Sequence, residues 1–381
     1  MRNYSPNVLQ TKGGERANHM TLKRPKGMIQ LDSGTPSFPT PDHICDAAKK
    51  ALEDGLTHYA PGQGDPEFLQ AVCENIEREC KSNYSTDSVI PTNGGSSGIY
   101  TVMTAFLGKG DEVILMDPTF SLYSHVAKQI GGIPVNVPHG PDYHLDIQAI
   151  RDSITDKTKL LLICNPNNPT GLVYTQKELE SLTELCSEKN IILVSDEAYA
   201  KILQPGFKHV PLLSFKEHKN NLILLDTFSK TYAMTGWRLG NMVVPEDMHS
   251  VIFGIHRSIN GPICSFVQRA GAAALRGSQD CVSEMKREYQ KRGKLMYELA
   301  KEIPGLIPLE PQGGFYLYCR YNLPMLASNL RKKIWDVGVA IRSGTEFGKS
   351  GENHIRLTYS VSEETIEKGM QIISEFFKKT T

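Results

Sequence analysis

The chain of 381 residues is 40% hydrophobic and 22% charged, with 42 basic and 42 acidic residues and a formal net charge of zero. That balance excludes wholesale disorder, and it offers no chain-wide basic footprint for nucleic acid or an anionic membrane. The length, about 2.5 times a ~150-residue unit, argues for two domains, and no apolar run approaches the ~18 residues of a membrane span.

From the N-terminus, Met1–Lys26 is polar, with six Lys/Arg against one Glu and no apolar run typical of a signal peptide. It reads as a loose terminus that docks on the fold, with a targeting arm as the alternative. Apolar helical spacing begins at Ser96–Leu107 and returns at Leu122–Ile130, Gln176–Lys189 and Asp247–His256. Between these lie short β-rich runs at Val113–Met116, Pro134–Val137, Leu160–Cys164, Ile191–Val194, Asn221–Leu225 and Gly240–Val244. The runs are near-continuously apolar, as strands buried on both faces must be. The alternation predicts an α/β fold, a large domain with a mostly parallel sheet flanked by helices. After Pro262 the pattern changes. Ser265 to Glu302 reads as one long helix, with a break near Gly277 as the alternative, followed by Phe315–Cys319, a helix over Leu326–Val337, Ile355–Thr358 and a helix from Glu363. These elements predict a smaller α+β domain. The expected division is an N-terminal segment (1–45) packing on the small domain, a large domain (46–275) and a small domain (276–381).

The eight cysteines are dispersed, with no C-x-x-C pair and no zinc-like Cys/His spacing, so no metal site is expected. Such usage fits a reducing cytoplasm, with thiols serving as small core residues.

Five local features carry chemistry. Small residues at Gly94-Gly95-Ser96-Ser97-Gly98 open a helical pattern; they leave backbone N–H groups and room for a phosphate, or form a plain capped loop. Asn165-Pro166-Asn167-Asn168-Pro169-Thr170-Gly171 forces a tight turn directly after an expected strand, at the sheet edge where ligands bind. Asp196 ends another buried strand, where a carboxylate is costly unless paired with a cation or used as a helix cap. Lys230 follows a third strand within Ser229-Lys230-Thr231-Tyr232-Ala233-Met234-Thr235-Gly236-Trp237-Arg238, a setting unlike a solvated surface lysine. Arg356 interrupts an apolar strand, and its planar fork suits a bidentate grip on a carboxylate or a structural salt bridge.

Taken in order, these segments resemble the class I/II aminotransferases, pyridoxal 5′-phosphate enzymes of the aspartate-aminotransferase-like fold. The resemblance runs from about Leu31 to Tyr359. It implies a Schiff base between Lys230 and the cofactor, Asp196 against the pyridine nitrogen, and Tyr199 and Asn168 at the ring's 3′-oxygen. It implies phosphate ligands at Gly95, Ser96, Ser97, Thr227, Ser229 and Arg238, and an aromatic ring stacked on the cofactor at Phe120. Arg356 would grip the substrate α-carboxylate, with Gly34 beside it. Tyr59 would reach the phosphate of a neighbouring subunit, which implies a homodimer with shared sites. The implied reaction moves an amino group between an L-amino acid and a 2-oxo acid. Lyases and oxygen-dependent arginine oxidases of the same fold share these residues and are the alternative. The chain departs from the commoner family start at Gly34-Thr35-Pro36-Ser37-Phe38, on the substrate side.

Overall fold

The computed structural model describes residues 5–11 and 23–380. Most of the basic arm, residues 1–4 and 12–22, lies outside the described residues. Its described part is a helical turn at Pro6–Leu9 that packs on the helix Leu122–Ile130.

The strands in chain order are β1 (Ile29–Gln30), β2 (Val89–Thr92), β3 (Glu112–Asp117), β4 (Ile133–Pro138), β5 (Thr158–Cys164), β6 (Ile192–Asp196), β7 (Leu222–Thr227), β8 (Gly240–Val243), β9 (Leu306–Pro308), β10 (Tyr316–Tyr321), β11 (Val339–Ala340), β12 (Arg342–Ser343) and β13 (His354–Thr358). A seven-stranded sheet has the order β2-β8-β7-β6-β5-β3-β4. Strands β3 to β7 pair in parallel, whereas β8 runs antiparallel to both β7 and β2. The reason is local. A parallel return needs a crossover of a dozen or more residues, usually a full helix. The link from β7 to β8 holds one helical turn, Phe228–Thr231. The chain therefore turns straight back.

Strand β2 adds an edge strand to those expected from sequence. Its Pro91 lacks an N–H, which an edge position tolerates and which hides the strand from a hydrophobic-run reading. The expected helix 265–302 is two helices, Ser265–Arg276 and Asp280–Lys301, with Gly277 at the break. A Cβ at Gly277 would press on Ala273 O and on the His43 ring, so the small residue is needed where the chain turns. Helices Asp42–Glu53 and Pro66–Cys80 also come from the structure; both pack on Ser265–Arg276.

Alternation along the buried strands builds two cores, one on each face of the sheet. Val113, Leu160, Leu162, Val194, Ile223 and Leu225 face one core, and Ile114, Leu161, Ile163, Leu193 and Leu224 face the other. Strand-end residues inherit this parity. Cys164, Asp196 and Thr227 end β5, β6 and β7 on the first face, while Glu197 and Asp226 belong to the second.

The second sheet, β12-β13-β10-β9, is antiparallel. The N-terminal segment lies beside it: β1 and β11 form a separate two-stranded parallel sheet, Leu31 N–H donates to Ala340 O, and Thr358 N–H of β13 donates to Leu31 O. Farther along, Thr40 Oγ1 donates to Ala233 O and accepts from Trp237 Nε1, both in the loop that follows Lys230. The segment thus runs from the second sheet to the Lys230 loop. Asp117, the last residue of β3, crosses in another direction. Its buried carboxylate accepts the N–H groups of Lys349 and Ser350, and Thr119 N–H donates to Phe347 O.

Candidate active site

The C-terminal ends of β5, β6 and β7 open on a cavity of about 590 Å³, closed on the other side by β10, β13 and the N-terminal segment. Its floor is set by strand parity, which turns Cys164, Asp196 and Thr227 inward.

Asp196 is 8% exposed. Its carboxylate accepts from Tyr123 Oη at 2.8 Å and from Ala198 N–H at 3.2 Å. Burial holds its pKa above the usual carboxylate range, and these two donors pull the other way. Lys230, on the single turn after β7, points its Nζ to Gly34 O at 2.6 Å. Burial, then the charges of Arg238 and Arg356, lower its pKa to about 8, against the opposing pull of Asp196. A lysine near 8 has a substantial neutral fraction at physiological pH, which is what a nucleophile or base requires.

A second group of residues forms an anion cradle. The helix Gly95–Phe106 starts with no side-chain cap; Ser97 N–H donates to Gly94 O, and Gly95 and Ser96 at its start line the cavity. Thr227 caps the turn Phe228–Thr231, accepting the Ser229 N–H, and the two hydroxyls lie 3.0 Å apart. Arg238 donates to Thr235 O and Asn93 O, with its guanidinium packed against Gly94. A Cβ at Gly94 would overlap that guanidinium, and Gly94 has φ +71°. Both facts reserve the position for glycine.

At the opposite side, Arg356 projects from β13 and is 5% exposed. One terminal nitrogen donates to Asn168 Oδ1 at 2.8 Å, the other to Asp32 O at 2.9 Å. The guanidinium lies between two rings, 4.0 Å from the Tyr316 centroid and 4.7 Å from that of Phe347. Its Nε is buried without a protein partner. Tyr199 Oη lies 2.9 Å from Tyr316 Oη.

Of the residues singled out in the sequence, Gly34, Gly95, Ser96, Phe120, Asn168, Asp196, Tyr199, Thr227, Ser229, Lys230, Arg238 and Arg356 all line this one cavity. Two do not. Ser97 sits one helical position past Ser96, rotated away from the wall, and its hydroxyl is buried. Tyr59 lies outside the cavity and is 89% exposed. Tyr123, Tyr316, Phe347 and Asp32 also line the cavity and were not read from sequence. Tyr123 and Asp196 are 73 positions apart, so no local pattern joins them. Tyr316 reads as an ordinary strand aromatic. Its signal is cross-strand: it pairs with Thr358 and Tyr318 with Arg356, so Tyr316 and Arg356 are diagonal neighbours on one face.

The sequence profile described as Aminotransferase class I and II matches residues 26–373. The chain belongs to that family. This aminotransferase is 35% identical to a probable aspartate aminotransferase of Methanocaldococcus jannaschii, over 92% of this chain and 93% of the relative. It is 34% identical to aromatic-amino-acid aminotransferase 2 of Thermococcus litoralis, over 93% and 92%. Among solved structures, an aspartate aminotransferase of Thermus thermophilus superposes with a TM-score of 0.92 at 31% identity, covering 98% of this chain and all of that one. The aminotransferase shares its fold with the Thermus thermophilus enzyme. Among its described residues no helix is long and apolar enough to cross a membrane.

Proposed function

We propose that this aminotransferase works with pyridoxal 5′-phosphate in the cavity and moves an amino group between an L-amino acid and a 2-oxo acid. The observation that carries the reading is that one cavity is lined by both Lys230, its amine depressed to about 8, and a buried Asp196. The donor set fits the group. A carboxylate faces one side, a lysine amine another, and an uncapped helix start with Thr227, Ser229 and Arg238 makes a cradle for a phosphate. When bound, the cofactor supplies an electron sink for charge that develops at the substrate Cα.

The protein's residues do the rest. Lys230 would hold the cofactor through its amine, and that amine, when free, would serve as base and then acid for the substrate Cα proton. Asp196, oriented by Tyr123, would hold the proton on the ring nitrogen. Tyr199 and Asn168 would supply donors for the ring oxygen, and Phe120 would supply an aromatic face for the ring. Arg356 offers its Nε edge to the substrate carboxylate beside Gly34, which orients the Cα bond to be broken.

Tyr59, exposed here, supports a twofold dimer in which each subunit completes the partner's phosphate site. The helix break at Gly277 supports a division into residues 46–275 and 276–381, with 1–45 on the smaller part. All eight cysteines are unpaired, which supports residence in a reducing cytoplasm.

The test is chemical. Borohydride reduction of the purified yellow protein should fix the cofactor's mass on the peptide containing Lys230. An amino acid added under anaerobic conditions should discharge the absorbance band, and a 2-oxo acid should restore it. A label on another lysine, or oxygen consumption with no need for an oxo acid, would refute the reading.

A further inference from the structure

Tyr316 begins β10 and is almost wholly buried, yet it lines the cavity between the two groups that hold opposite ends of the reacting centre. Its hydroxyl meets Tyr199, and its ring face meets the Arg356 guanidinium. A Cβ at Gly34 would overlap the Tyr316 hydroxyl, so the bare backbone at 34 makes the space that this hydroxyl fills. The same Gly34 offers its carbonyl to Lys230.

We propose that Tyr316 is a positioning residue with two separable tasks: its hydroxyl aims the Tyr199 proton at the cofactor's ring oxygen, and its ring braces Arg356 for the substrate carboxylate. The inference rests on the cofactor reading above.

The first task follows from counting protons. Each tyrosine hydroxyl has one proton to donate. If Tyr199 donates into the cavity, the bond between the two hydroxyls must be donated by Tyr316. Burial pushes both hydroxyls above their ordinary pKa, so both keep their protons at neutral pH. A hydroxyl that accepts one bond becomes a better donor in the next, and its proton has a fixed direction. The second task follows from the stacking. The fork of Arg356 is pinned at its terminal nitrogens by Asn168 and Asp32, and in the perpendicular direction by the rings of Tyr316 and Phe347. Only its buried Nε edge is left without a protein partner. The aromatic face keeps that edge turned toward the cavity.

The experiment uses the holoenzyme of the parent, Tyr316→Phe, Tyr316→Leu, Tyr199→Phe and the Tyr199→Phe/Tyr316→Phe pair. Two readouts are taken without turnover: the pH midpoint of the bound cofactor's absorbance, and the Kd for propionate as an unreactive carboxylate. The nitrogen that links Lys230 to the cofactor shares its proton with the ring oxygen. A weaker Tyr199 bond competes less for that oxygen, so the proton is held more tightly. Tyr316→Phe should therefore raise the midpoint by about half a pH unit and leave the propionate Kd within about twofold. Tyr316→Leu should raise the midpoint likewise and weaken propionate roughly tenfold. The double phenylalanine variant should shift no further than Tyr199→Phe alone, because both act on one bond. An unchanged midpoint in Tyr316→Phe, or additive shifts in the double variant, would overturn the hydroxyl's task. Unchanged propionate binding in Tyr316→Leu would overturn the ring's. Should Tyr316→Leu fail to fold, Tyr316→Met, which fills more of the space but has neither ring nor hydroxyl, replaces it with the same expected direction. If reduction fixes no cofactor on Lys230 of the parent, the underlying reading falls, and this inference with it.

Discussion

Lys230 shows how a single charge is tuned by what surrounds it. Its amine is depressed to about 8 by burial and by Arg238 and Arg356. The apoenzyme should therefore react with pyridoxal phosphate at a rate that rises with pH and reaches half its plateau near 8. Replacing Arg238 with Ala removes one opposing cation, so the midpoint should move upward while phosphate affinity falls; stopped-flow absorbance reads both. Lys230→Ala should lose turnover by orders of magnitude yet keep the cofactor through Asp196 and the cradle, as equilibrium dialysis would show. Asp226, on β7 just before the Lys230 turn, faces the other side of the sheet. Burial raises its pKa from 3.8 to about 7. Between those values the folded protein holds a proton that the unfolded chain has released, so this group's stabilisation is lost as pH rises toward and through 7. Asp226→Asn keeps an oxygen for the Thr227 N–H, which the carboxylate now accepts at 2.7 Å. Its Tm should exceed the parent's at pH 8 and match it near pH 4.

At the level of elements, the turns that connect the two sheets matter as much as the strands. Gly348 has φ +146°, and a Cβ there would overlap the Asp117 carboxylate. Gly348→Ala should therefore displace the 347–350 turn and with it Phe347, one of the two rings against Arg356. The expected outcome is a KM raised for amino acid and oxo acid alike, since both carry the gripped carboxylate, with cofactor absorbance unchanged. Gly277→Ala, at the helix break, crowds Ala273 O and His43 and should cost about 1–3 kcal/mol, seen as a lower Tm with unaltered KM. Legibility from sequence follows the same physics. Strands β3, β5, β6 and β7 are buried on both faces, so their apolar runs stand out. The helix Asp42–Glu53 buries only Ile44, Ala48 and Ala51, too narrow a stripe to stand out, and β2 hides behind Pro91. In the site, Lys230, Asp196, Asn168 and Arg238 were legible because each lies in a dense local pattern. Tyr123 and Tyr316 were not, because their meaning arises only when distant strands and helices meet.

For the whole molecule, the dimer reading makes its own demand. Tyr59→Phe should speed cofactor loss from the holoenzyme, because a hydrogen bond to a charged group is worth about 1.5–3 kcal/mol, while the fold of each subunit stays intact. Sedimentation of a fully active monomer would contradict it. The N-terminal segment carries the last consequence. It is fastened at Leu31 to the second sheet and at Thr40 to the loop after Lys230, and Gly34 lies between the two fastenings. It ties the second sheet to the loop after Lys230, with the carbonyl that meets the Lys230 amine between its two ends. Arg356 donates to the carbonyl of Asp32 and Lys230 to that of Gly34, so the cation meant for the carboxylate and the amine meant for the cofactor both lean on one three-residue stretch of backbone.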